Sequence, residues 1–134
     1  MSFVADTDVL IDFLRDRGDE AKRIELELKT GGLCTTAVSA FELWVGAKSP
    51  KEKTAVGTLL NALTIIPLDA TSSALAADVF RDLESKGITI GMADSLIAGI
   101  CLHRSAIFIT RNKKHFKRVP NLKISGEHLT SSGG

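Results

Sequence analysis

Short apolar runs alternate with stretches of helical periodicity from residue 3 to residue 124, and that alternation limits the fold of this chain more than any other feature. Phe3-Val4-Ala5 reads as a short buried strand, and Leu10, Phe13 and Leu14 then recur at helical spacing until Arg17-Gly18-Asp19 breaks the pattern. Ala21, Ile24 and Leu28 form the inner face of a second helix that stops at Gly31-Gly32. Leu33-Cys34-Thr35 is the next strand, and Val38, Phe41 and Val45 mark a helix ending near Gly46. Pro50 opens a further helix reaching about Asn61. Thr64-Ile65-Ile66-Pro67 is too short and too β-branched to be anything but a strand. Leu75, Val79 and Leu83 carry a helix to Gly87, and another runs from Met92 to Leu102. Ala106-Ile107-Phe108-Ile109-Thr110 is the clearest strand, with Leu122-Lys123-Ile124 as a last edge strand. Strands that alternate with helices imply an α/β fold of three layers, α/β/α, around a short parallel sheet. Ligands of such sheets bind beyond the carboxyl ends of the strands, where the strand order reverses.

The chain of 134 residues has room for one core, which places a single domain at 1–126 and a flexible tail at 127–134. A formal net charge of +1 excludes a protein that is electrostatically a glove for nucleic acid, so any basic patch must be local. Cys34 and Cys101 stand in apolar surroundings without a Cys or His at metal-ligand spacing, and are expected to be buried free thiols in a reducing cytoplasm. Neither a leader-like start nor an apolar run long enough to span a bilayer is present, so no membrane association is expected.

Three acids stand at the ends of these elements. Asp6 follows the first strand directly; Glu42 lies in the helix after the second, on the margin of its apolar face; Asp94 opens a helix whose stripe of Ile97, Ala98 and Cys101 would bury it. Each has an ordinary explanation. Asp6 and Asp94 could cap helices, and Glu42 could be a solvated side chain. Together, three carboxylates at the carboxyl ends of different strands would repel strongly at low dielectric, and a divalent cation relieves that repulsion. Ligation by oxygen alone suits magnesium, with manganese as the variant, rather than zinc.

At these residues the sequence resembles the PIN domain family, in particular VapC-type toxins of toxin–antitoxin pairs. Phe3 to Ile11 (FVADTDVLI), Ser39 to Ala47 (SAFELWVGA), Ala93 to Ala98 (ADSLIA) and Ile109 to Phe116 (ITRNKKHF) are similar to its four motifs, in order, within residues 3–124. No one motif is specific; the ordered set is. The resemblance implies a PIN-like fold and a magnesium-dependent endoribonuclease that hydrolyses RNA phosphodiester bonds. It also implies inhibition by a cognate VapB-type antitoxin, homodimerisation, and metal ligation by Asp6, Glu42 and Asp94. The family often carries a fourth acid at the position of Asn112 or of His115, and this chain has neither. Asn112 offers a neutral carbonyl oxygen to a metal or a water instead, which puts a second metal in doubt. Thr7 and Thr110 are hydroxyls that could hold water there or make local turn bonds.

Arg104, Arg111, Lys113, Lys114, Lys117 and Arg118, with His103 and His115, crowd the stretch around the last clear strand. A charge run of this kind is commonly a solvated face. Beside a metal site, Arg111, Lys113, Lys114 and Lys117 would hold the phosphates flanking the scissile bond. With no Tyr and one Trp, Trp44, base stacking is not expected to carry selectivity, and Trp44 itself is expected in the core or a dimer contact. Two alternatives stay open: a haloacid-dehalogenase-like phosphatase built on Asp6-Thr7-Asp8, which lacks a later acidic pair and a strand-end Lys, and a PIN domain that binds RNA or a partner without cutting.

Overall fold

The computed structural model describes residues 2–126 of the chain; the flexible tail expected at 127–134 lies outside the described residues. Strands β1 (Phe3–Ala5), β2 (Leu33–Thr36), β3 (Thr64–Ile66), β4 (Ile107–Ile109) and β5 (Lys123–Ile124) form one sheet in the order β3-β2-β1-β4-β5, every neighbouring pair parallel. The helices are α1 (Thr7–Leu14), α2 (Ala21–Thr30), α3 (Ala37–Gly46), α4 (Pro50–Asn61), α5 (Ala70–Ser85), α6 (Met92–Arg104) and α7 (Lys113–Phe116). The chain builds outward from β1 to β2 and β3, then returns to the other side of β1 for β4. The order therefore reverses between β1 and β4, and their carboxyl ends open the crevice that such sheets use.

The strand period of two divides the apolar residues between two cores. Val4 and Phe108 face one way, against Val79 and Leu83 of α5 and Ile97 and Ile100 of α6; Ala5 and Ile109 face the other, against Leu10, Ile24, Leu43, Val56 and Leu59 from α1 to α4. Helix starts are set locally. Ser49 and Glu52 form a capping box ahead of Pro50, and Asp69 and Ser72 form another at α5. Gly99 lets α6 lie directly on α5, since a methyl group there would stand 2.5 Å from the Ser72 carbonyl oxygen and 2.7 Å from the Ala76 backbone nitrogen.

One helix sits in a different rotation from the one its apolar pattern predicts. The inward stripe of α3 is Ser39 and Leu43, leading to Ala47, whereas Phe41, Trp44 and Val45 are 67%, 46% and 61% exposed. Trp44 is therefore not a core residue; its ring edge reaches Gly57 of α4, where a methyl group would lie 3.4 Å away. The four-residue α7 has no counterpart in the sequence reading. It exists to seat Phe116, which is buried edge-on against Phe108 at 4.8 Å between centroids. Cys34 and Cys101 are free and buried. Among the described residues no helix is long and apolar enough to cross a membrane.

Candidate metal centre

Asp6 leaves the end of β1, its N–H still donating to the Ile109 carbonyl of β4 at 2.8 Å. Its two carboxylate oxygens are used differently. Oδ1 accepts the Thr7 N–H at 2.8 Å and so caps α1, while Oδ2 accepts the Thr110 hydroxyl at 2.7 Å. Capping and site membership are thus not exclusive. Only 6% of the residue is exposed. Burial, with the neighbouring Asp8 charge next, pushes its carboxyl up to about 7, against the pull of the Thr110 and Thr7 bonds; Asp94 adds to the rise. The charges that act most strongly on Asp6 are thus themselves carboxylates.

Glu42, half-buried on α3, reaches the same rim through α1: the Thr7 hydroxyl donates to its Oε1 at 2.6 Å. Asp94 stands in the first turn of α6 and is less buried than its apolar stripe predicts, its side chain 36% exposed. The stripe of Ile97, Ala98 and Cys101 lies wholly in the core, but Asp94 is the turn that emerges from it. His115 Nε2 lies 3.1 Å from Asp94 Oδ2, close enough for an ion pair when protonated but off the line of a hydrogen bond. Asn112 donates its backbone N–H to Thr110 Oγ1 at 3.0 Å; its residue is exposed and its side chain does not cap α7.

Two acids outside the predicted metal ligands also meet residues of this rim. Asp8 accepts the Arg111 N–H at Oδ1, 3.3 Å, and its Oδ2 lies 3.5 Å from the Thr110 hydroxyl; burial raises its carboxyl. Asp12, one turn further along α1 and 4% exposed, takes Arg111 Nη1 on both oxygens at 3.1 and 3.0 Å, with Arg17 Nε at 3.7 Å. The available signal was their i, i+4 spacing, which puts both on one helical face.

The basic stretch divides. Arg111, Lys113, Lys114 and Lys117 follow β4 directly, whereas His103 and Arg104 end α6, roughly 15 Å along that helix from Asp94. His103 pairs with Asp69 at 3.6 Å. Lys113 lies 3.7 Å from Glu20, and the Arg111 guanidinium, engaged by Asp12, stays 64% exposed.

Among the described residues no three His, Cys, Asp or Glu side chains are grouped closely enough to hold a metal ion as they stand. Each of the three acids rests on its own partner: Asp6 on Thr110, Glu42 on Thr7, Asp94 on His115. The donor chemistry nevertheless fits magnesium or manganese, being oxygen at Asp6, Glu42, Asp94, Asn112 and the two threonines, with a buried carboxylate at its centre. Glu42 also lines two surface hollows. One of about 430 Å³ runs between α1, α3 and α4 past Ile11, Leu14, Leu43 and Val56, and one of about 530 Å³ lies beside Phe41, Leu68, Met92 and Leu96.

The family model of the PIN domain matches residues 3–122. Ribonuclease VapC2 of Rickettsia felis is 29% identical over 127 residues, which cover 91% of this chain and 95% of that protein. The tRNA(fMet)-specific endonuclease VapC of Salmonella typhimurium is 24% identical over 128 residues, covering 92% and 96%. Among solved structures, VapBC2 from Rickettsia felis bound to a DNA fragment from its promoter superposes with a TM-score of 0.84 at 28% identity, covering 93% of this chain and 98% of the matched one. DNA-bound VapBC from Salmonella typhimurium gives 0.84 at 25% identity, covering 93% and 97%.

Proposed function

This chain belongs to the PIN domain family, and from that premise we propose that it is a metal-dependent endoribonuclease of VapC type, a toxin that hydrolyses RNA phosphodiester bonds in the cytoplasm. The observation that carries the reading is Asp6: a buried carboxylate at the strand-order reversal, held by a hydroxyl and an amide, with other carboxylates as its strongest neighbouring charges. A group so placed favours a proton or a cation. Asp6, Glu42 and Asp94 would hold magnesium, or manganese, with Asn112 as a neutral fourth donor. When bound, the ion supplies charge neutralisation for the phosphoryl group and lowers the pKa of an attacking water.

The chain's own residues prepare the rest. Thr110 orients Asp6 and Thr7 orients Glu42, each by one short hydroxyl bond. His115, when protonated, pairs with Asp94. Arg111, Lys113, Lys114 and Lys117, on the β4 side of the crevice, hold the phosphates flanking the scissile bond. The names of the relatives and of the matched complexes support a VapB-type antitoxin as partner. An antitoxin Arg inserted between Asp6 and Asp94 would meet the charge that the metal otherwise meets. The exposed Phe41, Leu68 and Met92 suit the face that a second copy would cover in a homodimer.

A second reading, a PIN domain that binds RNA without cutting it, has one observation in its favour: the absence, among the described residues, of three donors already grouped for a metal. One experiment separates the two. The purified chain, freed of antitoxin, should cut structured RNA in magnesium and not in chelator. Asp94→Asn, which keeps size and polarity, should abolish most of that cleavage without loss of melting temperature. Cleavage by Asp94→Asn at the wild-type rate, or none by the wild type, would overturn the nuclease proposal.

A further inference from the structure

Asn112 leaves the last motif without an acid, yet the rim is not one carboxylate short. Asp8 stands in the first turn of α1, two residues past Asp6, and its Oδ2 lies 3.5 Å from the same Thr110 hydroxyl that donates to Asp6 Oδ2 at 2.7 Å. A hydroxyl has one proton to give, and the shorter contact takes it. Asp8 Oδ2 keeps only the longer contact to that hydroxyl, and the Val9 N–H also donates to the Asp8 carboxylate. Its other oxygen is fixed by the Arg111 N–H at 3.3 Å, while the Arg111 guanidinium turns away to Asp12. Asn112 meets the same Thr110 oxygen from the other side, through its backbone N–H alone.

We propose that Asp8 supplies the fourth carboxylate of the centre, in place of the acid missing at residue 112. The inference rests on the metal-dependent reading above and extends it to a residue on the opposite bank of the crevice. Thr110 is the pivot: Asp6 and Asp8 flank its hydroxyl from the β1–α1 side, and residue 112 reaches it from the β4–α7 side. A charge lost from one bank is present on the other. The competing role for Asp8 is structural, as a first-turn acid favoured by the α1 dipole and an acceptor for the Arg111 N–H. Asn at position 8 preserves the acceptor and removes the charge, so it separates the two roles.

The test is manganese binding to the full chain freed of antitoxin, followed by calorimetry and by the manganese EPR signal, with no RNA present. Four proteins are compared: wild type, Asp8→Asn, Asp94→Asn, and Asp8→Asn combined with Asn112→Asp. Asp8→Asn should weaken manganese binding at least about tenfold, or remove one equivalent, while its melting temperature in chelator stays at or above the wild-type value. The double variant, which moves the carboxylate across the crevice, should restore binding. A loss that the double variant does not restore would assign Asp8 to holding the β4 end and overturn the proposal. Wild-type binding by Asp8→Asn together with lost binding by Asp94→Asn would place Asp8 outside the centre and leave the metal reading standing. Wild-type binding by Asp94→Asn would remove the metal reading itself, and Asp8 with it.

Discussion

Asp6 and Asp12 sit six residues apart on the same β1–α1 unit and are buried to almost the same degree, 6% and 4% exposed. Their surroundings are opposites. Asp12 meets two guanidinium groups, Arg111 at 3.0 Å and Arg17 at 3.7 Å, and its burial is answered inside the chain. Asp6 meets a hydroxyl, an amide and the fields of Asp8 and Asp94, so its strongest neighbouring charges share its own sign. Burial alone therefore does not mark a functional acid; the sign of the neighbours does. Asp12 is part of how the rim is built, since Arg111 ties the end of β4 to α1 through it. Asp6, in the proposed centre, is where a cation would be held.

The comparison breaks most visibly if the two acids are each changed to Asn. Asp6→Asn should lower RNA cleavage on the order of 10²-fold or more while the metal-free protein melts no earlier. Asp12→Asn should do the reverse in kind, costing about 1–3 kcal/mol of stability by denaturant unfolding, with cleavage falling only as far as the rim loosens. Equal effects of the two substitutions on both readouts would erase the distinction.

A second, smaller effect is set by pH. The Asp6 carboxyl stands at about 7 in the fold against an ordinary value of 3.8, so between those values the folded chain keeps a proton that the unfolded chain has lost. Stability of the metal-free protein should then fall as pH rises from about 4 to about 7 and level off above, with Asp6 contributing on the order of a few kcal/mol. Asp8, raised by burial, acts in the same direction. Thermal melts across this range in chelator, wild type against Asp6→Asn, check it: the variant should have the flatter profile, and parallel profiles would mean that Asp6 is not the group responsible.

The mildest change expected is at the basic bank. Replacing Lys113, Lys114 and Lys117 together by Gln should flatten the salt dependence of RNA binding, each lost phosphate contact removing roughly 0.7 to 0.9 from the log–log slope. Manganese affinity should stay as it was. A slope equal to the wild type's would return these side chains to an ordinary solvated surface.

The strands and most helices were legible because each has a local cause: a short apolar run, a capping box, a Gly or Pro stop. Asp6 and Asp94 were legible at the ends of such elements and Glu42 in the helix that follows β2. What failed to show has physical reasons too. The sequence of α7 is four residues long, less than any period needs. The rotation of α3 does not follow from its apolar pattern, because an exposed apolar residue looks the same in sequence as a buried one, and Phe41, Trp44 and Val45 are exposed. Asp8 enters the sequence reading only through the phosphatase alternative, because its contact with Thr110 lies 102 residues away along the chain. The pairing of Asp12 with Arg111 spans 99. No local pattern announces which acid a distant strand end will meet.

The glycine that seats α6 on α5 has a bearing on all of this, although it has no side chain and lies one and a half turns from the rim. With backbone against backbone at Gly99, any side chain there would force α6 away from α5: even a methyl group would meet the Ser72 carbonyl and Ala76. Asp94 rides on the first turn of that same helix. The placing of the Asp94 carboxylate is thus a machining tolerance, set where two main chains touch and transmitted along one rod to the rim. Gly99→Ala should displace that carboxylate together with the helix that carries it.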